Sequence, residues 1–475
     1  MEDIIEEALD YGKEMNAQYV EIRLQKGSIT SINIKDRNVQ KTSIGLDVGG
    51  SIRVLYNGAW GIVSITNITK EEVLKAVKEA IKIARGASNM VKMPVRLSEV
   101  KPVQDKVKAE LVANPADVSG EEKISTLLTL SDGLLKFDNR IKSVEIDYAD
   151  MYITQYYGNT DQTYVEQEKV YVWSRIVGSA KENEVFTSAR HELGSTKGYI
   201  IWKEDPLEKI VEKMGSRLIN QLKAKPPKAG VWPAVLAPEV VGVFTHEAFG
   251  HLGEADLAFS GAVTLQKIGQ KVASEHVTII DDGTIPGAFG SFAYDDEGVP
   301  AQKTVLVKDG ILVSFMYNRE FAAKFEDFLR MRFPQLLEVF NTKPTGNARA
   351  ENFRYEPIIR MRNTYIAPKD YTFEELLEDI KFGYYFKAFR GGQANLDGTF
   401  QVGIQEAYEI INGEIGNPVR NVSISGNTLE TLMKVDAVGK DFELHSGRCG
   451  KGQLAYVGDG GPHIRVKKIT VGGEA

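Results

Sequence analysis

Lys223-Ala224-Lys225-Pro226-Pro227-Lys228-Ala229-Gly230 is the stretch where the sequence changes character. Two prolines stiffen it, three lysines solvate it, and helical periodicity stops there. It therefore reads as a linker dividing the 475 residues into an N-terminal part, 1–225, and a C-terminal part, 226–475. Upstream, helices mix with alternating strands. Downstream come one strand, one helix, and then mostly strand with frequent glycine. The expected class is α+β, with an N-terminal α/β half built on an antiparallel sheet and a β-rich C-terminal half.

Upstream of the linker the clearest helix is expected over Thr69–Ala84. Thr69 and Glu72 form a capping pattern, Val73, Val77, Ala80, Ile81 and Ala84 recur at helical spacing, and Gly86 is expected to stop the helix. Ser119 with Glu122, Asp205 with Pro206, and Thr372 with Glu375 mark further helix starts. Ile4, Ile5, Ala8 and Leu9 give the chain an opening helix. Tyr19–Leu24, Ser31–Lys35, Ser51–Leu55, Ala59–Ile65, Ser143–Tyr157 and Gln162–Val177 alternate apolar and polar residues, as half-buried antiparallel strands do. Downstream, Asp309-Gly310 and Asn412-Gly413 lie between apolar runs and predict hairpin turns.

Composition narrows the function classes. Hydrophobic residues make up 43% and charged residues 26%, the profile of a globular chain able to bury sizeable cores. The formal net charge is −7, with no basic block to neutralise phosphates, so nucleic acid is not an expected partner. No apolar run is long enough to span a membrane. The acidic start lacks a signal peptide's basic region, and Cys449 alone cannot form an internal disulfide. The expected location is cytoplasmic.

The segment Thr245-His246-Glu247-Ala248-Phe249-Gly250-His251 holds two of the six histidines and continues an apolar helical pattern from Pro238. Zinc peptidases space such histidines four apart, which brings them within ~40° on one helix face. Here the spacing is five, which leaves them ~140° apart on a regular helix, unable to share an ion. Either a π-type widening restores the geometry, or the helix ends near Gly250 and His251 swings back. A His-Glu pair near a second His also arises by coincidence, so these residues alone leave metal binding open. Cys449 lies in His445-Ser446-Gly447-Arg448-Cys449-Gly450-Lys451-Gly452-Gln453. A lone cysteine is commonly a small buried apolar residue. The flanking glycines argue against that, and two histidines, a thiolate and a water complete a tetrahedral zinc site with one open position. Glu254, three residues after His251, is a rival third ligand.

Further pieces run along most of the chain. They include Gly50-Ser51-Ile52-Arg53-Val54-Leu55, Asn57-Gly58-Ala59-Trp60-Gly61, Glu254-Ala255-Asp256, Tyr294-Asp295-Asp296-Glu297-Gly298, Tyr317-Asn318-Arg319-Glu320, Thr345-Gly346-Asn347-Ala348-Arg349-Ala350, Arg360-Met361-Arg362-Asn363 and Gly458–Pro462. In this order the chain resembles the TldD/PmbA family of metallopeptidases, on its metal-bearing TldD side. The resemblance implies a two-part fold whose C-terminal half carries one zinc ion. It implies His246, His251 and Cys449 as ligands and Glu247 as the catalytic glutamate, a set that PmbA-type subunits typically lack. It further implies an enclosed site for peptides or unfolded segments, and a homodimer or a heterodimer with a PmbA-type subunit. Chemically, zinc lowers the pKa of bound water to about 7, and Glu247 is placed to act on that water as general base and then acid. An extended peptide could also pair with a sheet edge near the site. The alternative from another class is a metal-stabilised scaffold or regulatory subunit without turnover.

The remaining candidates have plainer expectations. His191, His276 and His463 are expected to be structural or surface residues; standing behind the metal ligands is the minority reading for His445, four residues before Cys449. Asp295, Asp296 and Glu297 are expected in a solvated turn. Arg319, Asn347 and Arg349 either bind peptide backbone or a terminal carboxylate, or pair inside the fold.

Overall fold

The computed structural model describes residues 1–473. Upstream of the linker, the strands β1 (Tyr19–Lys35), β2 (Asn38–Tyr56), β3 (Ala59–Ile65), β4 (Gln104–Val107), β5 (Ile141–Asn159), β6 (Tyr164–Glu182) and β7 (Val185–Ser195) form one sheet. Its order is β3-β2-β1-β5-β6-β4, with β7 also paired to β6. Every pairing but β4–β6 is antiparallel. Two expected segments, Tyr19–Leu24 and Ser31–Lys35, merge into the single long strand β1. Gly27 lets them merge, because a Cβ there would lie 2.1 Å from the Tyr152 carbonyl oxygen on β5.

The helices α1 (Glu2–Glu14), α2 (Lys70–Ser88), α3 (Gly120–Phe137), the short α4 (Ile201–Glu204) and α5 (Leu207–Lys223) supply the apolar cover. Thr69 Oγ1 and Ser119 Oγ accept the Glu72 and Glu122 amides, as the capping patterns predicted. One expectation fails. The α2 helix runs past Gly86 to Ser88. One exposed glycine costs only ~1 kcal/mol, less than the buried Val77–Ala84 stripe supplies. The start expected at Asp205-Pro206 is realised, with α5 beginning at Leu207; the Asp205 carboxylate binds His191 Nε2 at 2.7 Å and does not cap the helix.

Alternation along β1 explains how the two halves join. Val20, Ile22, Leu24, Ile32 and Ile34 lie on one face, under the helices. The other face at this end carries Tyr19, Glu21, Arg23 and Gln25, and these are buried too. Their cover is the C-terminal half. Asp295, Asp296 and Glu297 are only 1%, 4% and 2% exposed, which corrects the expectation of a solvated turn. Asp296 pairs with Arg23 at 3.2 Å, and Glu297 with Arg53 at 3.4 Å. The Glu297 carboxylate also accepts the Arg319 amide, while Arg319 reaches Asp161 at 2.6 Å. Arg319 thus pairs inside the fold.

Downstream, β8 (Gly230–Leu236), β15 (Phe382–Ala394), β16 (Thr399–Ile411), β17 (Glu414–Val419), β18 (Val422–Asn427), β19 (Val435–Val438) and β22 (Ile464–Gly473) form a seven-stranded sheet. Because β15 pairs with both β8 and β16, five of these strands close into a ring. A six-stranded sheet orders β11 (Ile311–Leu312), β10 (Lys303–Lys308), β9 (Ile279–Asp282), β14 (Asn363–Ile366), β21 (Leu454–Gly461) and β20 (Glu443–Gly450). A two-residue ladder joins β12 (Ala348–Arg349) to β13 (Ile358–Ile359). Asp309-Gly310 and Asn412-Gly413 turn β10–β11 and β16–β17, all four residues at positive φ as a type I′ hairpin requires. The helix α6 (Pro238–Val243) and the segment after it pack between ring and sheet, against β14, β15, β20 and β21. No helix among the described residues is long and apolar enough to cross a membrane.

At the centre of the six-stranded sheet, Asp281 and Arg362 pair at 2.7 Å with both side chains 0% exposed. Asp281 also accepts from Asn347 and Thr364; Asn347 is therefore part of the core. Arg362→Met is expected to destabilise the protein by about 3–5 kcal/mol, because Asp281 is left charged and buried. A denaturant midpoint close to that of the wild type would show that Asp281 needs no counter-charge.

Candidate metal centre

The segment Phe244–Gly250 is π-helical, and a 3₁₀ turn, His251–Gly253, follows it. The His251 amide donates to the His246 carbonyl, five residues back. This i→i+5 bond stacks residues five apart on one face, so the wide His spacing fits a shared site. Between the two open options, the widening is the one realised. Met361 packs closely on Gly250: a Cβ there would lie 2.1 Å from Met361 Sδ, so that side chain would have to move.

One nitrogen from each of His246 and His251 and the Cys449 sulfur all lie within 4.8 Å of one another. The Cys449 Sγ to His251 Nε2 distance is 3.4 Å. Zinc–sulfur and zinc–nitrogen bonds of tetrahedral sites put such atoms about 3.5 Å apart, so the set fits a zinc-sized cation. His246 is 3% exposed, and its Nδ1 is buried with no partner. Burial alone would push the Cys449 thiol up, but the two imidazoles beside it bring it down to about 4. The thiol is therefore held as the thiolate that a metal needs. Burial opposes charge on His251, yet Glu254 and Cys449 outweigh it and raise the imidazole to about 10.

Glu254 is fully buried and meets His251 at Nδ1, 2.8 Å away, whereas Cys449 meets Nε2. It therefore orients the ring from behind, as carboxylates do for ligating histidines. Lys451 braces it from 3.2 Å and also pairs with Asp256 at 2.9 Å. Arg360 holds the Cys449 carbonyl at 2.8 Å. Sequence reasoning gave Lys451, Asp256 and Arg360 no role. The signal for Lys451 was its place two residues beyond Cys449.

Glu247 Oε2 lies 3.9 Å from His251 Nε2, on the open side of the cluster. Two cavities meet at this glutamate. One, of about 220 Å³, runs past Arg190, His191, Glu239, His445 and Asp459; the other, of about 350 Å³, runs past Gln393, Asn395 and Lys451. Asp459, missed in the sequence, is pushed up to about 7 by burial, with the charges of Glu192, Glu247 and Glu239 adding to it and His246 opposing. His191 lines this cleft, and His445 stands there with its Nε2 buried, 3.6 Å from Glu443 Oε2 and without a hydrogen bond. His463 lies elsewhere, between Asp441 and Tyr385. His276 has no partner bearing on the cluster.

Residues 20–84, 113–222 and 229–473 match the models described as PmbA/TldA metallopeptidase domain 1, central domain and C-terminal domain. Metalloprotease MJ0996 of Methanocaldococcus jannaschii is 38% identical, over 97% of this chain and 98% of the relative. The zinc metalloprotease TldD homolog of Saccharolobus solfataricus is 37% identical, again over 97% and 98%. The crystal structure of TldE from Thermococcus kodakarensis superposes with a TM-score of 0.73 at 19% identity, covering 99% of this chain and 100% of that one. With three domain models spanning the chain and metalloprotease relatives matching it nearly end to end, the chain belongs to the PmbA/TldD metallopeptidase family, on its TldD side.

Proposed function

We propose that the protein hydrolyses peptide bonds in short or unfolded peptides, with one zinc ion held by His246, His251 and Cys449 and with Glu247 as general base and acid. The observation that carries this reading is the placement of Glu247: a carboxylate 3.9 Å from a ligand nitrogen, at the meeting point of two cavities. When bound, zinc supplies Lewis acidity toward water and toward a peptide carbonyl. Glu247 accepts a proton from water and delivers it to the departing amine nitrogen. Glu254, braced by Lys451, keeps His251 in one orientation throughout.

The size of the cavities supports peptides over folded proteins, since spaces of about 220 and 350 Å³ admit an extended chain and no domain. Two strand edges support backbone recognition. The β20 strand ends its sheet, and β15 beyond Phe386 has β16 on one side only, with Gly391–Ala394 lining the cavities. An added strand gains main-chain hydrogen bonds with little side-chain selectivity. A second chain of the same fold, its own copy or a PmbA-type subunit, is the partner we assign, supported by the likeness to TldE.

Removing the metal by chelation separates this reading from the scaffold alternative. The expected outcome is loss of peptide hydrolysis, with circular dichroism unchanged and activity restored by zinc. Unfolding on chelation would instead mark a structural ion.

A further inference from the structure

We infer that a cavity between the two halves, distinct from the metal cluster, is a binding site for an organic carboxylate. The cavity measures about 320 Å³. On one side stand β1, β5 and β6; on the other stand residues 349–352 and the β20–β21 hairpin.

The lining carries Arg23, Lys169, Arg349, Arg354 and Arg448 against Asp47, Asp295, Asp296 and Glu351, and Asp47 answers Arg354 at 3.2 Å. Arg23 and Lys169 both pair with Asp296, at 3.2 and 2.9 Å. The Asp296 oxygens also accept from Gln155 and from the Ala350 amide, so the four acceptor positions of that carboxylate are taken. Arg349 lines the same cavity, 8% exposed, and donates to the Met361 carbonyl at 2.6 Å. Among the described residues no carboxylate pairs with it. Neighbouring Asp295 is occupied by the amides of Glu297, Val299 and Ala348. Burial accordingly holds the Arg349 guanidinium below its usual pKa. Arg23 Nε is buried without a partner. At the rim Arg448 stacks on Trp173 at 3.6 Å, also without a paired carboxylate among the described residues.

Arg349 and Arg448 thus stand beside an open volume with no carboxylate paired to either among the described residues, an arrangement that an anionic ligand relieves. Arginine's planar fork suits a carboxylate. The other walls suit an apolar body on that ligand: Phe292, Met151, Ile153 and the stacked rings of Tyr171 and Tyr456, 4.5 Å apart. Arg448 also borders the cleft beside Glu247. The carboxylate can therefore be the C-terminal end of a peptide, a source that rests on the peptidase reading, or a free small acid, which does not.

The test titrates N-acetylphenylalanine and its C-terminal amide into the full-length, metal-loaded protein by calorimetry. The acid is expected to bind about tenfold tighter than the amide, corresponding to one lost charge-assisted contact. Arg349→Gln and Arg448→Gln are each expected to remove most of that preference. The exposed Arg448 gives a variant that folds even if the buried one does not. Equal affinity for acid and amide, or a preference untouched in both variants, overturns the assignment. Hydrolysis of free-acid against amidated peptides then identifies the source: faster cleavage of the acid marks a peptide end, and equal cleavage with acid binding intact marks a separate small acid. Binding is read without turnover, so an inactive protein leaves this result standing.

Discussion

Glu247→Gln is expected to retain the metal and to lose about 10²–10⁴-fold in peptide hydrolysis, the usual worth of general acid–base help. The substitution changes one atom and keeps the shape, so the packing of the π-helical turn should survive. What it removes is the capacity to take a proton from water and return it to nitrogen. Among the described residues, Glu247 and Glu254 are the carboxylates that pair with a candidate ligand histidine. Glu254 faces His251 Nδ1, away from the open side, and Asp459 is buried on the wall of one cavity. Metal content per chain, circular dichroism and initial rates with a short peptide test this together. Full activity in a metal-loaded Glu247→Gln protein would remove this residue from the mechanism.

Cys449→Ser and Glu254→Ala are expected to separate the third ligand from the residue that orients a ligand. A serine hydroxyl is neutral at pH 7 and a poor exchange for a thiolate that its neighbours hold near 4. Cys449→Ser should therefore emerge from competition with a chelator essentially metal-free and inactive. Glu254→Ala loses the 2.8 Å bond to His251 Nδ1 but keeps all three proposed ligand atoms. A fall of about 10–100-fold in metal affinity is expected, with metal still bound at saturation. The reverse pattern, stoichiometric metal in Cys449→Ser and none in Glu254→Ala, would transfer the ligand role to Glu254.

Much of the fold was legible because the signals were local. The Thr69, Ser119 and Thr372 caps, the Asp309-Gly310 and Asn412-Gly413 turns, and the alternating strands depend on neighbours in sequence. The β1–β2 turn was not legible. Asp36 and Arg37 both take positive φ there without glycine, and are held by distant partners: Ser143 and Val144 for Asp36, Asp132 for Arg37. The stop expected at Gly86 failed for a similar reason, because a weak local preference yields to a buried helix face. Asp295–Glu297 looked solvated because three adjacent acids usually are. Their counter-charges, Arg23, Arg53 and Lys169, lie more than a hundred residues away in sequence.

The sequence by itself determined the α+β class and the family, and it pointed to the side chains proposed for metal binding and proton transfer, since those follow from residue type, short-range spacing and motif order. Tertiary structure decided everything that requires distant segments to meet. It chose the π-helical turn that reconciles histidines five apart, set Cys449 at 3.4 Å from His251 across a separation of 198 positions, and turned Glu254 to the far side of the ring. It also brought Arg23 and Lys169 onto Asp296 between the halves and set Arg349 beside them without a paired carboxylate among the described residues. Such arrangements depend on the packing of whole sheets, and no local pattern encodes them.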